Sequence, residues 1–406
     1  MARLQRLVSA AALVVLTLTT ACGNVSDDDP EAGSEAEAPP GVTDDTILLG
    51  ATMPLTGTAA VAGDGLQAGV RIAAEEINAD GGINGRMIEL TILDDGFTPD
   101  RVVTNVRRLV SQEGVYALVA PAGSQGLPGA WPFIEENGTP VWGPVSPSDP
   151  NLQQVYLLGA TRTTQDQVAI DYFAAQGVER LAVIQQDNDL GVSAQAALDE
   201  QLPKHPEMEL VAQETTQTGA TDVSSAVNNV VAADPDALLI ASDNTQVALI
   251  LQQLRGQGVT IPVFADQGGA GTGGPSAVGP AGDAAEGFIG GVQADVVSTD
   301  NPDVEHWREL AQQYDGEQGE SGFSLQTYSY LKAFAELLER MGDDLSYENF
   351  HAVAEGLVDD PISVGSVPDI ECGPLPDGHT CVRQAGLAVY TNGAWETLQE
   401  FQAPMD

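Results

Sequence analysis

Lysine is almost absent from this chain: Lys204 and Lys332 are the two examples, and Lys plus Arg number 15 against 59 Asp plus Glu. The resulting formal net charge of −44 opposes phosphate binding and argues against nucleic acid as a partner. Such acidity suits a solvated surface in a salty or alkaline medium, where screening weakens self-repulsion. Histidine is scarce too. His205, His306, His351 and His379 are scattered, with no pair at metal-binding helical spacing, so neither a metal nor a cofactor is expected. No Gly-x-x-x-x-Gly-Lys-Ser/Thr phosphate loop occurs. After the first residues no apolar run reaches the roughly 18 residues that a membrane span needs. What remains is 406 residues, 43% of them hydrophobic, with 44 Gly and 24 Pro, which is the make-up of a loop-rich globular protein. The length fits two or three domains and rules out a single small motif.

The start of the chain has the parts of an export signal. Arg3 and Arg6 precede an apolar run from Leu7 to Leu18, followed by small residues and Cys22, so residues 1–21 are expected to be removed. Thr19-Thr20-Ala21-Cys22 resembles the lipobox of bacterial lipoproteins, which implies a lipid on Cys22 and an anchor on the outer face of the cell membrane. From 22 to 45 the residues are mainly Asp, Glu, Ala, Pro and Gly, too poor in bulky side chains to fold, and read as a tether. Cys372 and Cys381 lie in a Gly and Pro rich stretch of an exported chain. A local disulfide is expected there, with a zinc pair as the weaker alternative.

Beyond the tether, strand and helix periodicities alternate. Strands are expected at 46–51, 87–93 and 115–120, with helical faces at Leu66, Val70, Ala73, Ile77 and at Val102, Val106, Leu109. The pattern recurs with strands at 181–185, 210–214, 237–241 and 261–265, separated by helices near 191–202, 222–232 and 245–255. This implies an α/β fold of two doubly wound parallel-sheet lobes. Helices near 302–314, 323–341 and 346–357 follow, and Asn392-Gly393 marks a late hairpin. Ligands of such sheets bind beyond the carboxyl ends of the strands.

Catalytic signals at those ends are few. Gly63-Asp64-Gly65 and Gly69 miss the spacing of a dinucleotide loop, and Asp187-Asn188-Asp189 lacks the later ligands of a calcium loop. Ala122-Gly123-Ser124-Gln125-Gly126 follows a strand and approximates a nucleophile elbow, which would need one of the later histidines as base. The alternative is that Ser124 donates a hydrogen bond to a ligand.

Ile47 to Gly57, Gly69 to Asn78 followed by Ala79-Asp80-Gly81-Gly82-Ile83-Asn84-Gly85-Arg86, and Asp94-Asp95 resemble the leucine, isoleucine and valine binding proteins of bacterial ABC importers. The resemblance implies a type I periplasmic-binding-protein fold, non-enzymatic, with lobes joined by a hinge of several crossings. The first lobe would comprise 46–160 plus about 292–358, and the second 161–291 plus about 359–406. It implies capture of a small-molecule ligand and delivery to ABC permease membrane subunits by a monomer. Ser124, with Ala122 beside it, and Ser146 and Ser148 in the next loop match the family's cradle for the ligand carboxylate. In the other lobe the acidic partner of an amino-acid ammonium is replaced by Gln267, and aromatic positions by Ala62, Leu190 and Asp243. Asp243 either supplies the missing acid or is a solvated loop carboxylate. Two other functional classes are a secreted serine hydrolase using Ser124 and a ligand-sensing receptor domain.

Overall fold

The first repeat forms where alternation predicted it. The structure, a computed structural model, describes residues 38–405 apart from 58, 124–125, 146–150, 273–277, 299, 315, 317–318 and 377. β1 (Thr46–Met53) is followed by α1 (Ala60–Ala79), β2 (Met87–Asp94), α2 (Pro99–Arg108), β3 (Ala117–Val119), α3 (Leu127–Asn137), β4 (Val141–Trp142) and β5 (Val155–Tyr156). These strands make one sheet in the order β2-β1-β3-β4-β5, every neighbour parallel.

The chain then enters a second set: α4 (Arg162–Ala175), β6 (Arg180–Gln186), α5 (Asp189–Gln201), β7 (Glu209–Thr216), α6 (Ser224–Ala232), β8 (Ala237–Ala241), α7 (Asn244–Gly256), β9 (Val263–Ala265), α8 (Gln267–Ala270), α9 (Val278–Ala281) and β10 (Phe288–Val292). It returns through α10 (Pro302–Ala311), α11 (Gly322–Met341) and α12 (Tyr347–Glu355), then closes with β11 (Ala385–Thr391) and β12 (Ala394–Gln402). The second sheet runs β12-β11-β10-β9-β8-β6-β7. It is mixed, because β11 and β12 join antiparallel at the β10 edge.

Side-chain packing assigns the late segments. Ile47, Trp142, Leu325, Phe334 and Phe350 share one core, and Ile362, Ile370, Cys372 and Cys381 belong to it as well. The stretch from 359 to 382, expected with the second lobe, therefore packs on the first, and the last passage between lobes lies just before β11. Cys372 and Cys381 are bridged, so the zinc alternative is set aside. The glycines near 63–69 allow close packing, Gly63 against the loop after β1 and Gly65 and Gly69 against the start of α11. A Cβ on Gly69 would come within 2.1 Å of the Ser324 carbonyl oxygen, so α1 and α11 can touch only without a side chain there.

Candidate functional site

The carboxyl ends of β1 and β3 are tied at Thr52. Its hydroxyl donates to Asp95 Oδ2 at 3.0 Å, and its carbonyl accepts the N–H of buried Ala122 at 2.8 Å. The ligand contact expected from Ala122 is therefore not its N–H. Ala120 and Gly123, at φ 48° and 111°, turn the chain after β3. Val145 N–H donates to the Pro121 carbonyl at 3.0 Å, which brings the loop after β4 against the loop after β3. Ser124, Ser146 and Ser148 themselves lie outside the described residues, as does Cys22.

In the second lobe, amide side chains stitch the strand ends together. Asp243 caps α7: Oδ1 accepts from the N–H groups of Thr245 and Gln246 at 3.0 and 3.1 Å. Its Oδ2 accepts from Gln186 Nε2 at 2.5 Å, and Gln186 Oε1 accepts from Asn188 at 3.0 Å. Thr216 donates to Gln246 Oε1 at 2.7 Å, joining the end of β7 to α7. Half-buried, Asp243 thus holds three hydrogen bonds within the lobe, two on Oδ1 and one on Oδ2. Leu190 follows Asn188 in the first turn of α5, half-buried, with its N–H on Asn188 Oδ1 at 3.0 Å. The Asp187 carboxylate accepts from the N–H and hydroxyl of Thr218, which makes 187–189 a polar strand-end loop.

Gln267 opens α8 after β9. Its N–H donates to Gln165 Oε1 at 2.9 Å, while its own Oε1 is buried with no partner. Beside it Asp266 accepts from Gly269 N–H at 2.7 Å and pairs with Arg162 at 3.2 Å. Asp166, one turn into α4, is buried with Oδ1 unpartnered. Burial first, and the Asp266 charge second, push its pKa well above the ordinary carboxylate value, and Arg162 opposes them. Gln165, Asp166 and Asp266 were missed in the sequence. A signal existed: Gln165 and Asp166 are polar residues one helical turn before the apolar Ala169 and Ile170, with which they are buried.

The histidines proposed as hydrolase bases all have partners elsewhere in the first lobe. His306 Nε2 bonds Glu76 at 2.7 Å, and His351 Nδ1 bonds the Tyr156 hydroxyl at 2.7 Å. His379 Nδ1 donates to the Leu152 and Val155 carbonyls at 3.1 Å each. Among the described residues no group of three or more His, Cys, Asp or Glu could hold a metal ion, and no helix is long and apolar enough to cross a membrane. A cavity of about 500 Å³ is lined by Trp307 and Arg308 of the first lobe and by Tyr390 and Trp395 beside the amino end of β10, and no strand-end residue described above lines it.

A family model described as periplasmic binding protein matches residues 46–370. Among curated proteins, the Leu/Ile/Val-binding protein homolog 7 of Brucella abortus is 28% identical over 364 residues, covering 86% of this chain and 87% of its own length. Among solved structures, a fatty acid ABC transporter substrate-binding protein from Thermomonospora curvata superposes with a TM-score of 0.77 at 20% identity, covering 90% of this chain and 94% of that one. A solute-binding protein of an ABC transporter from R. palustris, in complex with benzoate, gives 0.72 at 16% identity, covering 88% and 97%. Two α/β lobes with parallel strand ends, a set of polar groups at those ends, and a match over most of the folded chain lead to one conclusion: this protein belongs to the periplasmic binding protein family.

Proposed function

We propose that this protein is exported, anchored through lipid on Cys22 to the outer face of the cell membrane, and captures a small carboxylate or amide between its lobes as a monomer. It delivers the ligand unaltered to ABC permease membrane subunits and performs no catalysis. Ser124, Ser146 and Ser148 with the backbone around Ala122 hold the ligand's carboxylate or carbonyl, and Leu190, Gln267 and the Asp243 region close over it from the second lobe.

The observation that carries the choice of ligand is the engagement of Asp243. An amino-acid ligand buries an ammonium group, and burying it without a free counter-charge costs several kcal/mol. Asp243 is fixed as the α7 cap and by Gln186, and at the position of the family's acid Gln267 offers a neutral acceptor whose Oε1 has no partner. A ligand N–H satisfies that acceptor without bringing a charge. The named ligands of similar proteins, from branched-chain amino acids to fatty acid and benzoate, share a carboxyl group and differ in the ammonium.

Calorimetry against the twenty amino acids and a panel of amides and organic acids tests this. An amide or organic acid is expected to bind, and Asp243→Asn to change its affinity by less than about tenfold. Tight leucine binding that collapses in Asp243→Asn would reassign Asp243 as the ammonium partner and overturn the ligand class.

A further inference from the structure

At the end of the second lobe opposite the ligand-binding strand ends lies a cavity of about 810 Å³. Its origin is topological. β11 and β12 extend the sheet past β10, and α4 is the helix packed on β10 and β11. Ile289 pairs across strands with Val389, and Leu398 of β12 packs into the same helix-covered layer. With Tyr172 and Phe173 from the last turns of α4, these side chains form an apolar wall.

The opposite rim carries Arg255, at the end of α7. One guanidinium nitrogen, Nη1, donates to the Val259 and Ile261 carbonyls at 2.8 and 3.3 Å. Nε and Nη2 make no hydrogen bond among the described residues, and no ion pair includes Arg255. Like Arg180 and Arg308, Arg255 is half-buried and bonds only to backbone carbonyls, but it alone of these three lines this cavity. Two acids line the same rim. Glu286 is committed to the β11–β12 turn, accepting from the Thr391 hydroxyl at 2.9 Å and the Asn392 N–H at 3.2 Å. Asp283 is exposed to water. Burial pulls the Arg255 pKa down, as expected of a cation whose desolvation is not compensated.

We infer that this cavity is a second binding site, independent of the cleft, for an amphipathic monocarboxylate whose apolar body lies on Ile289, Val389 and Leu398 and whose carboxylate pairs with Arg255. The volume is in the range of small-molecule sites, the wall is apolar, and the free guanidinium edge supplies the directional polar contact that such sites use.

The test is calorimetry of sodium octanoate on the full chain, with hydrogen exchange to locate it and octanamide as the uncharged control. Octanoate is expected to bind wild type and to protect 386–390 and 396–399. Arg255→Gln should weaken octanoate about tenfold or more, the scale of a lost charge-assisted bond, and leave octanamide unchanged. Arg255→Lys should restore part of the loss. Leu398→Trp, which fills the cavity and leaves Arg255 in place, should abolish both. Octanoate affinity unaffected by Arg255→Gln or by Leu398→Trp, or protection confined to the strand-end loops of the cleft, would overturn the inference. A cleft that bound none of the panel ligands would not touch it.

Discussion

The two lobes are built on the same β-α alternation and stabilised differently. In the first, rings fill the interior: Trp142 lies 5.7 Å from Tyr156, 6.0 Å from Phe334 and 6.2 Å from Phe350, centroid to centroid, and its Nε1 donates to the Tyr330 carbonyl at 3.0 Å. The three late helices α10, α11 and α12 and the bridged Cys372–Cys381 segment complete that core. In the second, the interior is mainly aliphatic, and the order at the strand ends comes from amides and hydroxyls, Gln186 to Asp243 and Thr216 to Gln246. The lesson is that a polar strand end is not automatically a free recognition surface. In the second lobe the Asp243 carboxylate also holds the loops, through Thr245, Gln246 and Gln186.

The largest test of this contrast is Trp142→Ala. It removes the hub of the aromatic core and should cost about 3 to 5 kcal/mol, seen in urea unfolding. Hydrogen exchange should show the first lobe opening well before β6 and β8; simultaneous opening of both would mean that the lobes do not have separate cores. Next, Cys372→Ser with Cys381→Ser should cost about 2 to 4 kcal/mol through the entropy of the unfolded chain. The loss should again be confined to the first lobe, because residues 359–382 pack there.

The smallest effect concerns Asp166 in the second lobe. Its raised pKa means that the folded chain keeps a proton that the unfolded chain releases. That stability is fully present below the ordinary aspartate range near about 4 and is lost as pH rises through the raised value. Asp166→Asn carries no such linkage. Its Tm advantage over wild type should be small near pH 4 and widen toward pH 8; a difference independent of pH would contradict the buried neutral acid.

Much of this architecture was legible in the sequence. β1, α1, β2, α2, α5, α6, β8, α7 and α11 stand where periodicity put them, because each has one apolar face or a continuous buried run. What periodicity missed has physical reasons. α3 has Pro128 in its first turn and Pro132 inside it, so it does not look helical. β10 has Gly290 and Gly291 at its centre, poor strand formers, yet a Cβ there would come within 2.5 Å of Thr272 Oγ1 and 2.4 Å of Gln165 Oε1. The placement of 359–382 depends on tertiary packing that has no local signature. At the site, Asp243 was visible as a carboxylate at a strand end, but its role as a cap turns on the hydrogen bonds of Thr245, Gln246 and Gln186. Gln165, Asp166 and Asp266 come together because the first turn of α4 meets the turn from β9 into α8, through Gln165 to Gln267 and Arg162 to Asp266.

The most direct measurement is the identity of the small molecule released when protein purified without refolding is denatured, followed by its titration back into the stripped chain. The expected result is a chemically unaltered amide or carboxylate with no ammonium group, rebinding one to one in the cleft. Recovery of a free branched-chain amino acid that rebinds tightly, or of a hydrolysed product, would contradict it.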